Sequence, residues 1–344
     1  MIYKETNWRK AILNKSAKIK IAIKCLNKTG LQIILVESNN KFLGTITDGD
    51  IRRGLVNGLS LDDTIEKITF KNSVITNENV NLSSITNLMN INSIKSLPIV
   101  DKKKKICGLY SAKLNESYTK KPTVIFMAGG KGERLLPLTK KIPKGMLKIN
   151  GVPMMEVILK KFITEGFTEF VFSVNYLSKK IIDYFKDGKK WNINIKYYKE
   201  KNFLGTIGSI YFLKKNLGSN FIVINCDVIT NVQIMDMFIY HLNNKADATI
   251  GSRVLETKSA FGHIKTNGFE IVGFEEKPLE KKFINAGIYI FNRNILKFFK
   301  KKRRKDINEL IEDMLLDRKK LLVFPIHEKW DDVGRHKDLK KHNN

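Results

Sequence analysis

The chain has 344 residues, of which 42% are hydrophobic, so it can form more than one packed domain and is not a disordered protein. Its formal net charge is +28, from 62 basic and 34 acidic residues, which makes nucleic acid the first partner to consider. Lysine is spread along the whole chain, however, and accompanies abundant Asn and Ile, as a low-GC codon bias would produce. The sequence therefore disfavours a nucleic-acid partner.

Neither a membrane segment nor a secretory signal is predicted. The chain has no run of about 18 apolar residues, and its start, MIYKETNWRK, lacks the apolar stretch of a secretory signal. The three cysteines, Cys25, Cys107 and Cys226, are far apart and odd in number, unlike a disulfide framework or a zinc site. We expect a cytoplasmic protein with reduced structural thiols and no membrane partner.

Residues 1–120 contain two units with the same order of elements, at about 1–68 and 69–118. Neither unit alone could bury its apolar face, so we expect the two to pack on each other. The patterns predict, in chain order, a helix over 19–27, strands over 32–36 and 41–46, a helix opening at 47–50, a helix over 82–91, and strands over 96–100 and 106–110.

These units resemble a tandem pair of CBS domains, small α+β modules that often bind adenine nucleotides. In that family a Gly-x-x-Ser/Thr-x-x-Asp element contacts the ligand, and the first unit has it as Gly44, Thr47 and Asp50. The resemblance implies that Thr47 binds a phosphate and Asp50 a ribose. Leu114 stands at the aspartate position of the second unit, so at most one good site is expected. Alternatively, the pair only mediates dimerisation; we expect a homo-oligomer.

A polar segment without apolar periodicity, residues 111–121, precedes Pro122, and we place the domain boundary near residue 120. Residues 121–344 then alternate between predicted strands and helices. Such alternation predicts an α/β domain with a Rossmann-like, mostly parallel sheet and ligand sites beyond the carboxyl ends of its strands. The predicted strands are 123–127, 169–174, 193–198 and 221–225, and the predicted helices are 153–165, 177–186 and 206–216.

A basic run, residues 300–305 (KKKRRK), directly precedes another predicted helix. Asp306 and Glu309 have the spacing of a capping box, which is typical of a helix N-terminus. We interpret the basic run as a solvated loop rather than as a groove for nucleic acid.

The loop after the first strand of the second domain is rich in glycine and basic residues. Backbone N–H groups that glycine leaves accessible, together with positive side chains, can surround a triphosphate. A dinucleotide-binding turn looks similar, but the acidic residue that such a turn has about 20 residues later is missing, which disfavours a dehydrogenase. The residues are Ala128, Gly129, Gly130, Lys131 and Gly132, followed by Arg134 and Lys144.

Two acidic positions could bind a metal ion. Asp227 directly follows a predicted buried strand, and a carboxylate there suits Mg²⁺, which prefers one or two carboxylates with phosphate oxygens. Alternatively, Asp227 caps a helix that begins near Asn231. Asp331 and Asp332 follow Trp330 near the C-terminus, and the residues alone indicate only an acidic turn.

The string A-G-G-x-G-x-R-L-x-P-L-T, with P-K and M-L after it, resembles the signature of sugar-1-phosphate nucleotidyltransferases, and the resemblance covers residues 122–340. It implies that the glycine loop holds a nucleoside triphosphate, that Arg134 binds the leaving pyrophosphate and that Lys144 contacts the phosphates. Asp227 and Asp332 would be the Mg²⁺ ligands. We expect in-line attack by a sugar 1-phosphate, with no protein nucleophile. Gly145 departs from the family, which usually has proline there.

The same family assigns further positions to the two substrates. Leu204 to Gly208 resembles the turn that binds the nucleobase. The E-K-P and N-A-G motifs line the pocket for the sugar phosphate, and a glycine allows the sugar to approach. The residues implied are Gly205 and Thr206 for the nucleotide, and Gly262, Glu276, Lys277 and Asn285 for the sugar phosphate.

The whole arrangement looks most like the guanylyltransferases of legionaminic acid biosynthesis, which act on glucosamine 1-phosphate. That resemblance favours GTP. Guanylylation of mannose or heptose 1-phosphate and uridylylation of glucose 1-phosphate stay open. A nucleotide-sensing CBS protein with an inactive transferase fold is the alternative from another class, although the charged positions of an active site are all present.

Overall fold

The computed structural model describes residues 2–92, 94–112, 121–300 and 303–342. Internal contacts divide the chain into two compact units, residues 1–119 and 120–344. Leu114, most of the predicted linker and two residues of the basic run lie outside the described residues. Within the described part of the chain, no helix combines the length and apolar character needed to cross a membrane.

The N-terminal unit consists of two three-stranded sheets with helices. In chain order its elements are β1 (Ile2–Lys4), β2 (Ile12–Asn14), α1 (Ile19–Thr29), β3 (Ile33–Ser38), β4 (Lys41–Thr47), α2 (Asp48–Val56), α3 (Leu82–Ile91), β5 (Ser96–Val100) and β6 (Ile106–Ala112). One sheet has the order β2-β3-β4 and the other β1-β6-β5. The predicted helices and strands of both CBS-like repeats are therefore present.

The first residues of the chain join the two repeats. Strand β1 pairs with β6 of the second repeat, whereas β2 pairs with β3 of the first. A buried cluster contains Ile33 and Leu35 from one sheet, Ile106 and Leu109 from the other, and Trp8, which precedes β2. The two repeats thus share a core, because each sheet covers the apolar face that the other could not bury alone.

The C-terminal unit is an α/β domain. Its elements are β7 (Thr123–Ala128), β8 (Lys148–Ile149), β9 (Val152–Pro153), α4 (Met154–Thr164), β10 (Glu169–Val174), α5 (Ser178–Phe185), β11 (Asn194–Lys199), α6 (Ile210–Leu213), β12 (Asn220–Asn225), β13 (Val228–Thr230), α7 (Ile234–Asn243), β14 (Ala248–Lys258), β15 (His263–Asn267), β16 (Glu270–Glu275), β17 (Leu279–Asn292), α8 (Ile307–Leu316), β18 (Leu321–Ile326), β19 (Trp330–Asp332) and α9 (His336–Lys341).

A seven-stranded sheet with the order β11-β10-β7-β12-β17-β14-β18 forms the centre of this unit. All neighbours in it run parallel except β17, which is antiparallel to both β12 and β14. The two faces of the sheet pack into different hydrophobic clusters. On β7, for example, Phe126 packs in one cluster and its neighbour Ile125 packs in the other. Both faces are therefore covered, as parallel strands require. The predicted fold class is confirmed.

One predicted helix begins later than the sequence pattern indicates. We expected a helix over 206–216, but α6 starts at Ile210. The N–H groups of Thr206 and Ile207 instead donate to Asp306 and to the carbonyl of Lys305. These two residues are therefore held in a turn by another segment of the chain, and the helix cannot start there.

Candidate active site

Two aspartates that are distant in sequence meet at one end of the central sheet. Strands β13 and β19 pair antiparallel, with Val228 opposite Asp332. The N–H of Val333 donates to the carbonyl of Asp227 over 3.0 Å. The predicted pair of metal ligands, Asp227 and Asp332, is thereby brought together by a short two-stranded ribbon.

Lys144 lies against this pair and forms an ion pair with Asp227. The side chains of Lys144 and Asp227 are only 14% and 11% exposed, so solvent screens their attraction weakly. Partial desolvation and the nearby charge of Asp227 raise the pKa of Asp332 to about 6, against the opposing effect of Lys144 and Arg134. The two carboxylates thus disfavour each other's charge, and a cation between them would relieve that repulsion.

Arg134 approaches the same site across a glycine. A Cβ atom at Gly334 would lie 2.9 Å from Oδ1 of Asp332 and 3.2 Å from Nη2 of Arg134. A side chain at Gly334 would therefore force Asp332 to shift and would crowd Arg134. Gly334, two residues after Asp332, is thus packed closely between Asp332 and Arg134.

The glycine loop lies beside Lys144. Gly132 has a left-handed backbone (φ +68°), and a Cβ there would lie 3.0 Å from Cβ of Lys144. Gly130 and Lys131 are exposed, and a Cβ at Gly130 would meet no atom within 4 Å. The loop therefore offers open backbone to a ligand while its end packs tightly on the lysine. Ala128, which ends β7, is buried beneath it.

Gly145, where the family usually has proline, is buried and tightly packed. A Cβ there would lie 2.5 Å from Cγ of Met155. Met155 thus occupies the space that a larger residue would need, and the segment around Lys144 is fixed by core packing.

Glu200 is a residue of this region that the sequence analysis missed. It follows β11 and is only 4% exposed, and its carboxylate accepts hydrogen bonds from the hydroxyl of Ser173 (2.7 Å) and the N–H of Leu204 (3.1 Å). A Cβ at Gly129 would lie 2.9 Å from Oε1 of Glu200. Burial raises the pKa of this carboxyl. The sequence signal that could have identified Glu200 is its position four residues before the turn at Leu204.

The turn predicted to bind the base is held against helix α8. The N–H of Thr206 donates to Oδ1 of Asp306 (2.9 Å), and the Thr206 hydroxyl accepts from the N–H of Ile307 (2.8 Å). Asp306 also forms the predicted capping box with Glu309. At Gly205, which has φ +79°, a Cβ would lie 2.7 Å from the carbonyl of Lys305. Glycine is needed there for both conformation and space.

The residues predicted for the sugar phosphate form two groups. A Cβ at Gly262 would lie 2.9 Å from Oε2 of Glu276, and the neighbouring Lys277 is exposed. Asn285 donates to the hydroxyl of Tyr289 (2.7 Å) and accepts from the N–H of Gly287 (3.0 Å). The first group lies beside hairpin β15–β16, and the second on β17.

In the N-terminal unit, Thr47 and Asp50 are hydrogen-bonded to each other. Oδ2 of Asp50 accepts from the N–H (2.7 Å) and the hydroxyl (2.6 Å) of Thr47, which caps α2. Arg53 adds an ion pair to Oδ1 at 2.5 Å. A capping role accounts for both residues, and nucleotide binding at this position stays a prediction.

Comparison with known proteins places the C-terminal unit in a family. The Nucleotidyl transferase family model matches residues 123–344, which is more than half of the chain, and the chain belongs to this family. The CBS domain model matches residues 9–57, within the first predicted repeat.

The names of individual relatives specify a substrate. Mannose-1-phosphate guanyltransferase of Schizosaccharomyces pombe is 32% identical over 223 residues, which is 62% of this chain and 61% of that protein. Mannose-1-phosphate guanylyltransferase of Mycobacterium tuberculosis is 29% identical, and the match covers 62% of each. The chain thus spans less than two thirds of these relatives. The crystal structure of HddC from Yersinia pseudotuberculosis shares the fold, with TM-score 0.51 and 24% identity over 64% of this chain and 98% of HddC.

Proposed function

We propose that the C-terminal unit transfers a nucleoside monophosphate, with GTP as the favoured donor, to a sugar 1-phosphate, giving a nucleotide-sugar and pyrophosphate. The observation that carries the proposal is the convergence of Asp227, Asp332, Lys144 and Arg134 beside an open glycine loop. The names of the guanylyltransferase relatives support the guanine base. We propose glucosamine 1-phosphate as the acceptor substrate, and mannose 1-phosphate is the alternative that those names favour.

In the proposed reaction an oxygen of the sugar phosphate bonds to the α-phosphorus as the bond to pyrophosphate breaks. The attacking phosphate is already an anion, so the barrier lies in bringing two anions together and in stabilising the leaving charge. Arg134 and the glycine loop would bind the departing phosphates, and Lys144 would neutralise charge near the α-phosphate. No proton transfer and no protein nucleophile are required.

We further propose that Asp227 and Asp332 hold one divalent cation, Mg²⁺. Two adjacent carboxylates that disfavour each other's charge fit a hard cation that prefers oxygen ligands. When bound, such a cation supplies positive charge to the phosphate oxygens. Lys144, now paired with Asp227, would be freed to contact phosphate.

Glu200 supports guanine as the base. A carboxylate only accepts hydrogen bonds, and guanine presents adjacent N–H donors at N1 and N2. Adenine and uracil present only one donor at the corresponding edge, beside an acceptor that a carboxylate repels. Glu200 lies between Gly129 and Leu204, and each carboxylate oxygen keeps a second lone pair beside its bond to Ser173 or Leu204, so we assign it to base selection.

For the remaining positions we propose the roles that the family resemblance implies. Gly205 and Thr206 would shape the base-binding turn. The set Gly262, Glu276, Lys277 and Asn285 would bind the sugar phosphate. Thr47 and Asp50 would contact an adenine nucleotide on the N-terminal unit, and the enzyme would act as a cytoplasmic homo-oligomer.

The test is pyrophosphate release with each nucleoside triphosphate against glucosamine, mannose, heptose and glucose 1-phosphates, with and without Mg²⁺. We expect one pair that contains GTP to react far faster than the others, and every reaction to require the metal. Glu200→Gln should lower kcat/KM for GTP more than for the other triphosphates, because the amide replaces an acceptor by a donor. Glu169→Gln, at the opposite end of the sheet, is the control. Equal loss with every base would show that Glu200 only supports the fold.

A further inference from the structure

Hairpin β15–β16 has one apolar face that the described residues leave open. Ile264 lies opposite Phe274, and strand alternation places Val272 on the same side. A register shift brings Ile271, opposite Thr266, to that side as well. These four side chains, the apolar face, are between 56% and 67% exposed: Ile264, Ile271, Val272 and Phe274.

The other face of the hairpin is polar. His263, Lys265 and Asn267 alternate with Ile264 and Thr266 along β15, and Lys265 pairs with Glu275 over 3.1 Å. A clean division between a polar and an apolar face is typical of a sheet that is covered on one side. The hairpin has only two strands, which are marginally stable without packing. The sequence of the hairpin is therefore suited to a partner.

The exposed area is large enough for a stable contact. Phe261, at 78% exposed, and Phe269, at 108%, adjoin the apolar face. With them it presents roughly 800 Å² of side-chain surface, close to the share of one partner in a standard protein interface. Monomeric proteins rarely expose apolar patches of this size. A sugar phosphate is too small and too polar to cover it.

Local charge indicates what the partner is. Residues 253–283 carry six basic and five acidic side chains, so this segment has a net charge of +1 while the whole chain has +28. A nucleic acid or an anionic membrane would be bound by a basic surface. Two copies of this chain, by contrast, would repel each other least where their charge is balanced.

We propose that the apolar face is the contact between two copies of this chain, which pack hairpin on hairpin about a two-fold axis. The same surface of each copy would then meet itself, as in most homodimers. The contact would also stabilise the base of the hairpin, where Gly262 meets Glu276. The hairpin contact is the proposed surface of the homo-oligomer, and it does not depend on which substrates the enzyme uses.

The experiment is the mass of the full-length protein in solution, measured by sedimentation over a range of concentrations. The wild-type chain should sediment at twice 39.6 kDa. Val272→Glu should weaken the dimer by about 100-fold or more, since the two-fold axis places each buried charge in the interface twice. Asn267→Glu, which adds the same charge to the polar face, should leave the mass unchanged.

Ile264→Lys is a second variant, and circular dichroism checks that each protein is folded. A monomeric wild-type protein would overturn the proposal, as would dimers that survive both Val272→Glu and Ile264→Lys. Binding of a monomer to anionic vesicles through the hairpin would assign the face to a membrane instead. Pyrophosphate release is measured separately, so a failure of the proposed reaction would not be mistaken for a failure of the interface.

Discussion

Replacement of Lys144 by methionine tests the electrostatics of the site. The ion pair with Asp227 is largely shielded from water, and the variant leaves Asp227 beside Asp332 without its lysine partner. Removal of one partner from a buried ion pair costs about 3 to 5 kcal/mol. Because both side chains keep some contact with solvent, we expect about 2 to 3 kcal/mol here.

For a domain of this size each kcal/mol lowers the Tm by about 2 to 4 °C, so the C-terminal unit of Lys144→Met should melt roughly 4 to 12 °C below the wild type in EDTA. Excess Mg²⁺ should restore most of this loss, because a cation on Asp227 and Asp332 replaces the missing charge. The measurement is calorimetry with and without Mg²⁺, and Lys140→Met, an exposed lysine, is the control. If Mg²⁺ raised the Tm of wild type and variant equally, the proposed competition between lysine and metal would be wrong.

Asp306→Ala should lower the free energy of unfolding by about 1 to 2 kcal/mol, because the helix loses its cap. It should also raise KM for the nucleotide more than it lowers kcat, because Thr206 loses its hydrogen-bond acceptor. Steady-state kinetics test this, with the exposed Glu312→Ala as the control. Burial lowers the pKa of His241 to about 4, so stability should be full above pH 6.5 and fall by up to about 1.4 kcal/mol per pH unit as the pH drops from 6.5 towards 4. Between these pH values the imidazole of His241 is protonated in the unfolded chain but stays neutral in the native protein. Urea unfolding across this range measures the slope, which His241→Gln should reduce.

Local patterns in the sequence predicted most of the elements. The strands over 169–174 and 96–100 and the helix over 82–91 are found at those residues, because their apolar periodicity is set by burial against a neighbouring layer. The capping box at Asp306 was also visible, since its two side chains act within one turn of the chain.

Contacts between distant segments could not be derived in this way. The pairing that joins Asp227 to Asp332 depends on a ribbon of three residues per strand, too short to leave a periodic pattern. Helix α6 was predicted too long because Thr206 is held by the start of α8. Glu200 was overlooked because an acidic residue between lysines is typical of an exposed segment, and only the fold places it against Gly129.

The segment between β14 and β17 has a practical consequence for engineering. The N–H of Ser259 donates to the carbonyl of Pro278 over 3.0 Å, so the two ends of residues 259–278 meet at the tips of adjacent strands. This insertion contains three of the four residues proposed for the sugar phosphate: Gly262, Glu276 and Lys277. The same segment from a relative could therefore be grafted between the two strands. The graft would change acceptor choice together with the proposed dimer contact, and would leave Asp227 and Asp332 in place.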